Sequence, residues 1–159
     1  MLTSDTLTIR LATSVDYPAV VACIQAAFTK WIDIIGMKPF ALTADYHDYI
    51  NRGVTYVVEG NREDDLAGLL IIWQVHDALY VDTIAVNPIH QKQGLGSRLL
   101  SFAEQKAHEI GLAKLTLVTN AKMVANQEYY RKHGFVETHR HSFEADRVGV
   151  WMAKTLAVE

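Results

Sequence analysis

The sequence predicts an α/β fold with a mixed central β-sheet of about seven strands flanked by helices. Chain length is the first supporting observation, because 159 residues is the usual size of one domain. Composition is the second, since 50% hydrophobic and 21% charged residues are typical of a globular protein. The third is the alternation of strand and helix periodicities in the order βααβββαβαββ. No linker or repeat divides the sequence, so we predict a single domain over residues 1–159.

The first part of the chain is predicted to contain one strand and two helices. Apolar residues stand at every second position from Leu7 to Leu11, which indicates a strand with one buried face. Apolar residues at helical spacing predict a helix over residues 17–28. A stretch with glycine and proline over residues 30–42 predicts a loop, and residues 44–52 predict a short second helix.

Three strands are predicted next. Residues 54–59 form the first, and a charged turn over residues 60–65 leads into the second. Residues 66–75 and 79–86 are almost continuously apolar, so we expect them to be central strands that are covered on both faces.

The remaining elements alternate between helices and strands. Amphipathic spacing predicts a helix over residues 94–109, and a β-rich segment predicts a strand over residues 114–119. A helix over residues 121–133 follows. Residues 135–138 and 148–154 close the chain as strands.

Charge and composition exclude several classes of function. A net charge of −3 leaves no excess of basic residues for a nucleic acid partner. The longest apolar run, residues 66–75, is half of the ~20 residues that cross a membrane. The first 16 residues lack the pattern of a secretory signal, and Cys23 has no second cysteine to pair with. We therefore expect a cytoplasmic protein without a membrane segment. The histidines show no metal-ligand spacing, so no metal is predicted.

The most informative segment joins a strand to a helix. The strand residues 81–88 precede a loop that contains Gln91, Gly94 and Gly96, and an amphipathic helix follows. Free N–H groups and the positive end of the helix dipole make such a helix start an anion site, suited to a pyrophosphate. Leu99 stands where the dinucleotide fingerprint needs a third glycine or alanine, and the Walker lysine is absent.

This glycine loop resembles the coenzyme A loop of the GNAT N-acetyltransferases. The segment from Asn126 to Phe135, with Tyr130 and Gly134, is similar to the second signature of that family. The resemblance implies the acyl-CoA N-acyltransferase fold and acetyl-CoA as co-substrate. It also implies transfer of the acetyl group to a primary amine by direct attack. A non-catalytic acyl-CoA binding or sensor domain on the same fold is the alternative.

The resemblance also assigns the coenzyme-binding residues. Main-chain N–H groups of the glycine loop would hold the pyrophosphate, and the end of the preceding strand would hold the acyl arm. Many members carry an asparagine at the position of Met123, so either Asn120 or Asn126 could bond the pantetheine, and Asn126 is preferred. The predicted cofactor residues of the strand and loop are Ile84, Ala85, Val86, Gln91, Lys92, Gln93, Gly94, Leu95, Gly96 and Ser97.

Two side chains are predicted to take part in the chemistry. The resemblance points to Tyr130 as the acid that protonates the leaving thiolate, while Tyr129 is expected to pack on the sheet. Among the side chains, Asp82 is the preferred general base or substrate contact, because a carboxylate inside an apolar strand needs a partner or a task. Glu59 and His76 are the alternative side chains, and a water chain fits the role of base equally well.

The acceptor itself is left open by the sequence. In this fold the acceptor side would comprise residues 31–49 and 138–147, where Trp31, Phe40 and Tyr46 either line a pocket or cover the sheet. A polyamine, an amino acid, an antibiotic and a protein amine are all compatible with the acidic composition. A homodimer is also compatible with the sequence.

Overall fold

A mixed sheet of seven strands forms the centre of the protein. The computed structural model describes residues 8–63 and 65–157. The strands are β1 (Ile9–Leu11), β2 (Thr55–Glu59), β3 (Leu66–Val75), β4 (Ala78–Val86), β5 (Lys114–Asn120), β6 (Val136–Ser142) and β7 (Val148–Thr155). Their order across the sheet is β1-β2-β3-β4-β5-β7-β6. These neighbours pair antiparallel except for β4 and β5, which run parallel. The predicted fold class is therefore confirmed.

Helices cover the sheet on both faces. They are α1 (Tyr17–Phe28), α2 (Trp31–Ile35), α3 (Tyr46–Asn51), α4 (Leu95–Glu109) and α5 (Val124–Lys132). On one face, residues of α1 and α3 pack on Leu69 and Ile71 of β3. On the other face, residues of α4 and α5 pack on Leu70 of β3 and Leu115 of β5. The central strands are thus covered on both sides, as predicted. Among the described residues, no helix combines the length and the apolar character that a membrane crossing requires.

The largest difference from the prediction lies in the segment expected to be a loop. Residues 31–35 form α2, because Trp31 and Ile35 stand one helical turn apart and both bury their side chains beside Met123. Gly36 ends this helix with a φ of +82°, a left-handed conformation that glycine adopts without strain.

Several element boundaries also differ. Helix α3 begins two residues later than predicted, because the Asp45 side chain accepts a hydrogen bond from the Asp48 N–H and caps it there. Helix α5 begins at Val124 rather than at residue 121, since Asn120 Oδ1 accepts from the Lys122 N–H and closes a turn first. Strand β6 is longer than predicted because it pairs with β7 as far as Ser142. The predicted start of β1 at Leu7 lies outside the described residues.

The buried cysteine shows that α1 is a packing element. Cys23 is 2% exposed in the core between α1 and the sheet. Burial raises the pKa of its thiol to about 12, so the thiol stays protonated at neutral pH. Cys23 therefore acts as a small core residue.

A bulge interrupts the pairing of β3 and β4. Ile72 pairs with Val81 and Ile71 pairs with Thr83, so Asp82 has no partner across the ladder. An extra residue of this kind bends its strand and re-aims the following side chains. Before the bulge Val81 faces the core under α4, whereas after it Ile84 packs there.

Strands β4 and β5 separate just beyond this region. Their ladder contains only the pairs Leu79 with Leu115 and Tyr80 with Thr116. Beyond them β4 continues to pair with β3, and β5 continues to pair with β7 as far as Asn120. The sheet therefore opens between its two central strands, on the side that faces the glycine loop.

Candidate active site

A cavity of about 430 Å³ occupies the gap between β4 and β5. Side chains of both strands line it, together with residues of α5, of the loop after α2 and of the connection between β6 and β7. Asp82, Ile84, Asn126 and Tyr130, which the sequence singles out, all belong to this lining. Four predicted site residues from two elements, β4 and α5, thus line the same cavity.

Tyr130 is the deepest of these residues. It is 9% exposed, and its ring packs edge-on against Phe135 and Tyr129 at centroid distances of 5.7 and 5.6 Å. Burial raises the pKa of the Tyr130 phenol above its ordinary value, and the neighbouring Tyr129 adds to that shift. The hydroxyl is therefore protonated across the physiological pH range and can act as a donor.

Asp82 lies at the bulge and is half-buried. Its Oδ2 accepts a hydrogen bond of 2.8 Å from the Thr83 hydroxyl. Burial raises the pKa of the Asp82 carboxyl, while the Thr83 hydrogen bond and the Arg52 charge lower it in part. A carboxylate with a raised pKa beside a cavity is suited to accept a proton.

The other candidate bases lie outside the cavity lining. The Glu59 side chain is 72% exposed and forms an ion pair of 3.2 Å with Arg10. His76 is exposed in the turn between β3 and β4, where its φ is +53°. Of the three side chains predicted as candidate bases, only that of Asp82 lines the same cavity as Tyr130.

The glycine loop leads directly into α4. Gly94 has a φ of +82° and open space around it, and α4 begins at the next residue. The first hydrogen bond of the helix runs from the Arg98 N–H to the Gly94 carbonyl, at 3.1 Å. The N–H groups of Leu95, Gly96 and Ser97 therefore have no partner within the helix. This geometry is suited to the anion site that the sequence predicts.

Side chains of the loop play different parts in holding it. Gln91 Nε2 donates to the Val86 carbonyl at 3.1 Å and ties the loop to the end of β4. Lys92 adopts a φ of +62° and is exposed, as is Gln93. Leu95 is 3% exposed, so its side chain belongs to the core and only its main chain is available for the predicted anion site.

Tyr129 meets the start of α4, a contact that the sequence analysis missed. A Cβ atom at position 96 would collide with the Tyr129 hydroxyl, so Gly96 permits a close approach of this ring. His133 stacks on Tyr129 with a centroid distance of 4.3 Å and bonds to Ser97 Oγ at 2.8 Å through Nε2. Its Nδ1 donates to the Tyr129 carbonyl, also at 2.8 Å. The signal in the sequence is the i, i+4 spacing of Tyr129 and His133.

The end of β4 presents the predicted residues in different ways. Ile84 lines the cavity, while Ala85 is 2% exposed and packs into the core under α1. The Val86 carbonyl is already bonded to Gln91. Of the side chains of these three residues, only that of Ile84 lines the cavity.

Polar groups of β5 and α5 complete this end of the cavity. Both Asn120 and Asn126 line it, but Asn120 Oδ1 is bonded to the Lys122 N–H at 2.9 Å. Met123 is buried with Trp31 and Ile35. The Thr119 hydroxyl is buried beside the cavity without a partner among the described residues, and the sequence analysis did not single it out.

The acceptor side differs more from expectation. Phe40 lines the cavity, whereas Trp31 and Tyr46 are buried as cover, at 8% and 5% exposure. The Tyr46 hydroxyl donates to the Ala41 carbonyl at 2.6 Å. Tyr49, Phe143 and Arg147 also line the cavity, and they lie within the two segments predicted for the acceptor side although they were not singled out. Tyr80 and Trp151 line it from outside those segments. Over residues 8–63 and 65–157, no group of three or more potential ligands could hold a metal ion.

Comparison with known proteins identifies the fold. The acetyltransferase (GNAT) family model matches residues 21–135. The structure resembles the ribosomal-protein-S18-alanine N-acetyltransferase of Escherichia coli, with a TM-score of 0.73, 23% identity and coverage of 97% of this chain and 96% of that one. It also resembles the PaiA N-acetyltransferase of Thermoplasma acidophilum in complex with coenzyme A, with a TM-score of 0.77, 13% identity and coverage of 94% and 99%. It further resembles a chain of the NatC complex bound to Gag peptide and coenzyme A, with a TM-score of 0.67, 16% identity and coverage of 95% of this chain and 99% of that one. The family match spans well over half of the sequence, and the chain therefore belongs to the GNAT family of acetyltransferases.

Proposed function

We propose that this protein is an acetyl-CoA-dependent N-acetyltransferase, which transfers the acetyl group to a primary amine by direct attack. One observation carries the proposal. The gap between β4 and β5 brings a protonated phenol, Tyr130, and a carboxylate, Asp82, to the same cavity. Attack of an amine on a thioester is promoted by a base that accepts a proton from the nitrogen and an acid that donates one to the leaving sulfur, both within reach of the reacting atoms.

The residues present fit coenzyme A. Three unpaired N–H groups at the start of α4 provide donors for a pyrophosphate, and Gly94 leaves the approach open. The orphaned Thr119 hydroxyl and the Asn126 side chain provide polar partners for the pantetheine arm. The main chain of residues 84–86 would complete that site. Related structures that contain coenzyme A support the assignment.

The protein's own groups then divide the chemistry. Acetyl-CoA supplies an activated acyl group as a thioester. Asp82 accepts a proton from the attacking nitrogen, since a protonated amine has no lone pair for attack. The N–H groups at the end of β4 stabilise the carbonyl oxygen as it becomes negative. Tyr130 donates its proton to the sulfur as the carbon–sulfur bond breaks and the carbon–nitrogen bond forms.

The experiment is release of free thiol from acetyl-CoA in the presence of a panel of amines. We expect amine-dependent release with the wild-type protein. Tyr130→Phe removes one hydroxyl and should lower kcat by roughly 10²–10⁴-fold, the range of general acid catalysis. The matched control is Tyr56→Phe, because Tyr56 packs edge-on against Phe102 at 5.0 Å and is not part of the cavity lining.

Three results would count against the proposal. Coenzyme A binding without thiol release for any amine would indicate the alternative, a binding or sensor domain. Full kcat in Tyr130→Phe, with product release shown not to limit the rate, would make Tyr130 a packing residue. An equal loss in Tyr56→Phe would show that the effect of Tyr130→Phe is not specific to the cavity.

A further inference from the structure

The acceptor end of the cavity has a distinctive arrangement of charge. Among the described residues that line the cavity, two are charged, Asp82 and Arg147. Asp82 lies on β4 in the centre of the sheet, whereas Arg147 lies in the connection between β6 and β7. On the basis of the proposed acetyl transfer, we infer that the acceptor is a free amino acid with an apolar side chain, whose ammonium group meets Asp82 and whose carboxylate meets Arg147.

Arg147 is held in a position to bind an anion. Its Nη2 donates to the Lys38 carbonyl at 2.9 Å, and its guanidinium lies over the Phe40 ring at 4.0 Å from the centroid. It forms no ion pair with any acidic residue of the described part of the chain. A guanidinium has five N–H donors in a planar fork, so most of them stay available for a carboxylate. Stacking on Phe40 fixes the orientation of that fork before the acceptor arrives.

The walls between the two charges are apolar and aromatic. Phe40 and Phe143 form an edge-to-face pair whose ring centroids are 5.8 Å apart. The Arg147 guanidinium lies over the Phe40 ring of this pair. The rings of Tyr80 and Trp151 lie side by side with their centroids 6.1 Å apart, and Tyr80 is on the same strand as Asp82. Such walls favour an aliphatic or aromatic side chain.

The same charges disfavour acceptors with several amino groups. A polyamine or an aminated antibiotic carries two or more positive charges, and each needs a carboxylate or water when it is buried. The cavity lining offers one carboxylate, and Arg147 repels a second cation. Cavity size agrees, because about 430 Å³ must hold the acetyl end of the co-substrate as well as the acceptor.

The test compares acceptor pairs that differ only in the carboxylate. L-leucine is paired with L-leucinamide, and L-phenylalanine with L-phenylalaninamide, while spermidine serves as the polycation. The amides have less basic amino groups, so the quantity compared is the acid-to-amide ratio of kcat/KM in wild type and in variants. Arg147→Gln removes the charge, and Arg147→Lys keeps the charge but loses the fork.

We expect the acid-to-amide ratio to fall at least tenfold in Arg147→Gln, mainly through KM, and to fall less in Arg147→Lys. A purely structural role of Arg147 would instead lower the rates for acid and amide together. Coenzyme A affinity, measured by calorimetry, should be unchanged and shows that the variant is folded. An unchanged ratio, or a preference of the wild type for spermidine, would overturn the inference while acetyl transfer stands.

Failure of the underlying reaction has a separate signature. If no amine of the panel is acetylated, calorimetry of L-leucine and L-phenylalanine is done on the protein saturated with coenzyme A. Binding that is lost in Arg147→Gln would support the inferred acceptor class and overturn the transfer activity. No binding of either amino acid to the wild type would overturn the inference itself.

Discussion

The proposed site has two ends that are built on opposite principles. The proposed coenzyme end consists mainly of main-chain groups from one continuous segment, in which Gly94 sets the turn and α4 supplies free N–H donors. The proposed acceptor end is the cavity, which is lined by side chains from distant segments, among them Tyr49, Asp82 and Arg147. The first is a local property of the sequence, whereas the second exists only after folding. The comparison explains how one fold can keep a co-substrate and exchange acceptors.

The difference also separates what substitutions should do. A side-chain change at the coenzyme end acts through backbone geometry or through a collision. A change at the acceptor end removes a chemical group while leaving the fold in place. Activity, coenzyme affinity and stability should therefore respond separately at the two ends.

The largest effect is expected at the bulge. Asp82→Asn keeps the shape and an acceptor for the Thr83 hydroxyl but removes the base, so kcat should fall by about 10²-fold or more. The wild-type rate should decline at low pH around a pKa above the ordinary ~3.9, because burial raises the Asp82 pKa, and the variant should lack this decline. Glu59→Gln is the control and should keep full activity. A wild-type pH profile in Asp82→Asn would exclude Asp82 as the base.

The same substitution should raise stability. A carboxyl whose pKa is higher in the folded state than in the unfolded state stabilises the fold while it is protonated, below its unfolded pKa. That contribution to the free energy of unfolding is lost as the pH rises through the folded pKa, because the buried carboxyl then ionises. Asp82→Asn should therefore increase the free energy of unfolding at pH 7 and make no difference below the unfolded pKa of ~3.9. Urea unfolding at the two pH values measures this. A loss of stability at pH 7 would show that the carboxylate is better paired than its environment indicates.

A smaller effect is expected at the start of α4. Gly96→Ala places a methyl group against the Tyr129 hydroxyl, so coenzyme A affinity should fall about tenfold, which is ~1.4 kcal/mol. Removing that hydroxyl in Gly96→Ala/Tyr129→Phe should restore part of the affinity. Ser101→Ala, on the exposed face of α4, is the control. Additive losses in the double variant would show that the two positions act independently.

Gln91 should contribute less again. Its side chain ties the loop to the Val86 carbonyl with one hydrogen bond, and a bond of this kind contributes about 1 kcal/mol. Gln91→Ala should therefore weaken coenzyme A binding by about fivefold in calorimetry. The matched control is Gln93→Ala, an exposed side chain in the same loop. Equal losses in both variants would indicate that the loop needs polar side chains in general.

A change outside both ends should leave the activity untouched. Asp16 accepts from Arg10 Nη1 and Nη2 at 2.8 and 3.0 Å, and these hydrogen bonds lower the Asp16 pKa. A carboxylate whose pKa is lowered by folding stabilises the fold at pH values above its unfolded pKa. That contribution is lost as the pH falls through its folded pKa, where the carboxylate takes up a proton. Asp16→Asn should cost about 1 kcal/mol at pH 7 and leave kcat/KM unchanged. Any change in kcat/KM would show that this pair supports the cavity.

Much of the fold could be predicted because it follows local periodicity. Strands β3 and β4 are long apolar runs, and α4 has a strong helical repeat after its glycines. Helix α2 could not be predicted, since five residues between loop signals give too short a pattern. Its stability comes from the burial of Trp31 and Ile35 beside Met123, a residue about 90 positions further along the chain.

The site divides in the same way. Tyr130 and Asn126 line the same cavity because they are four residues apart on one helix, and this spacing can be read from the sequence. The roles of Arg147 and Tyr129 depend on contacts with Phe40 and Gly96, which lie 107 and 33 residues away. A single sequence carries no signal for such pairs, because they are created by tertiary packing. Substrate class is for this reason the last property that sequence reasoning reaches.

The unpaired residue in β4 has a consequence at the level of the gene. Asp82 is an insertion into an otherwise continuous ladder, because Val81 and Thr83 already pair with Ile72 and Ile71, which are neighbours. Loss of one codon would join these pairs into a regular strand and remove the carboxylate and the bend together. A protein with this deletion would keep the hydrophobic core, since Val81 and Ile84 would still face α4. If Asp82 is the base that we propose, a single in-frame deletion would turn the proposed enzyme into a binding protein.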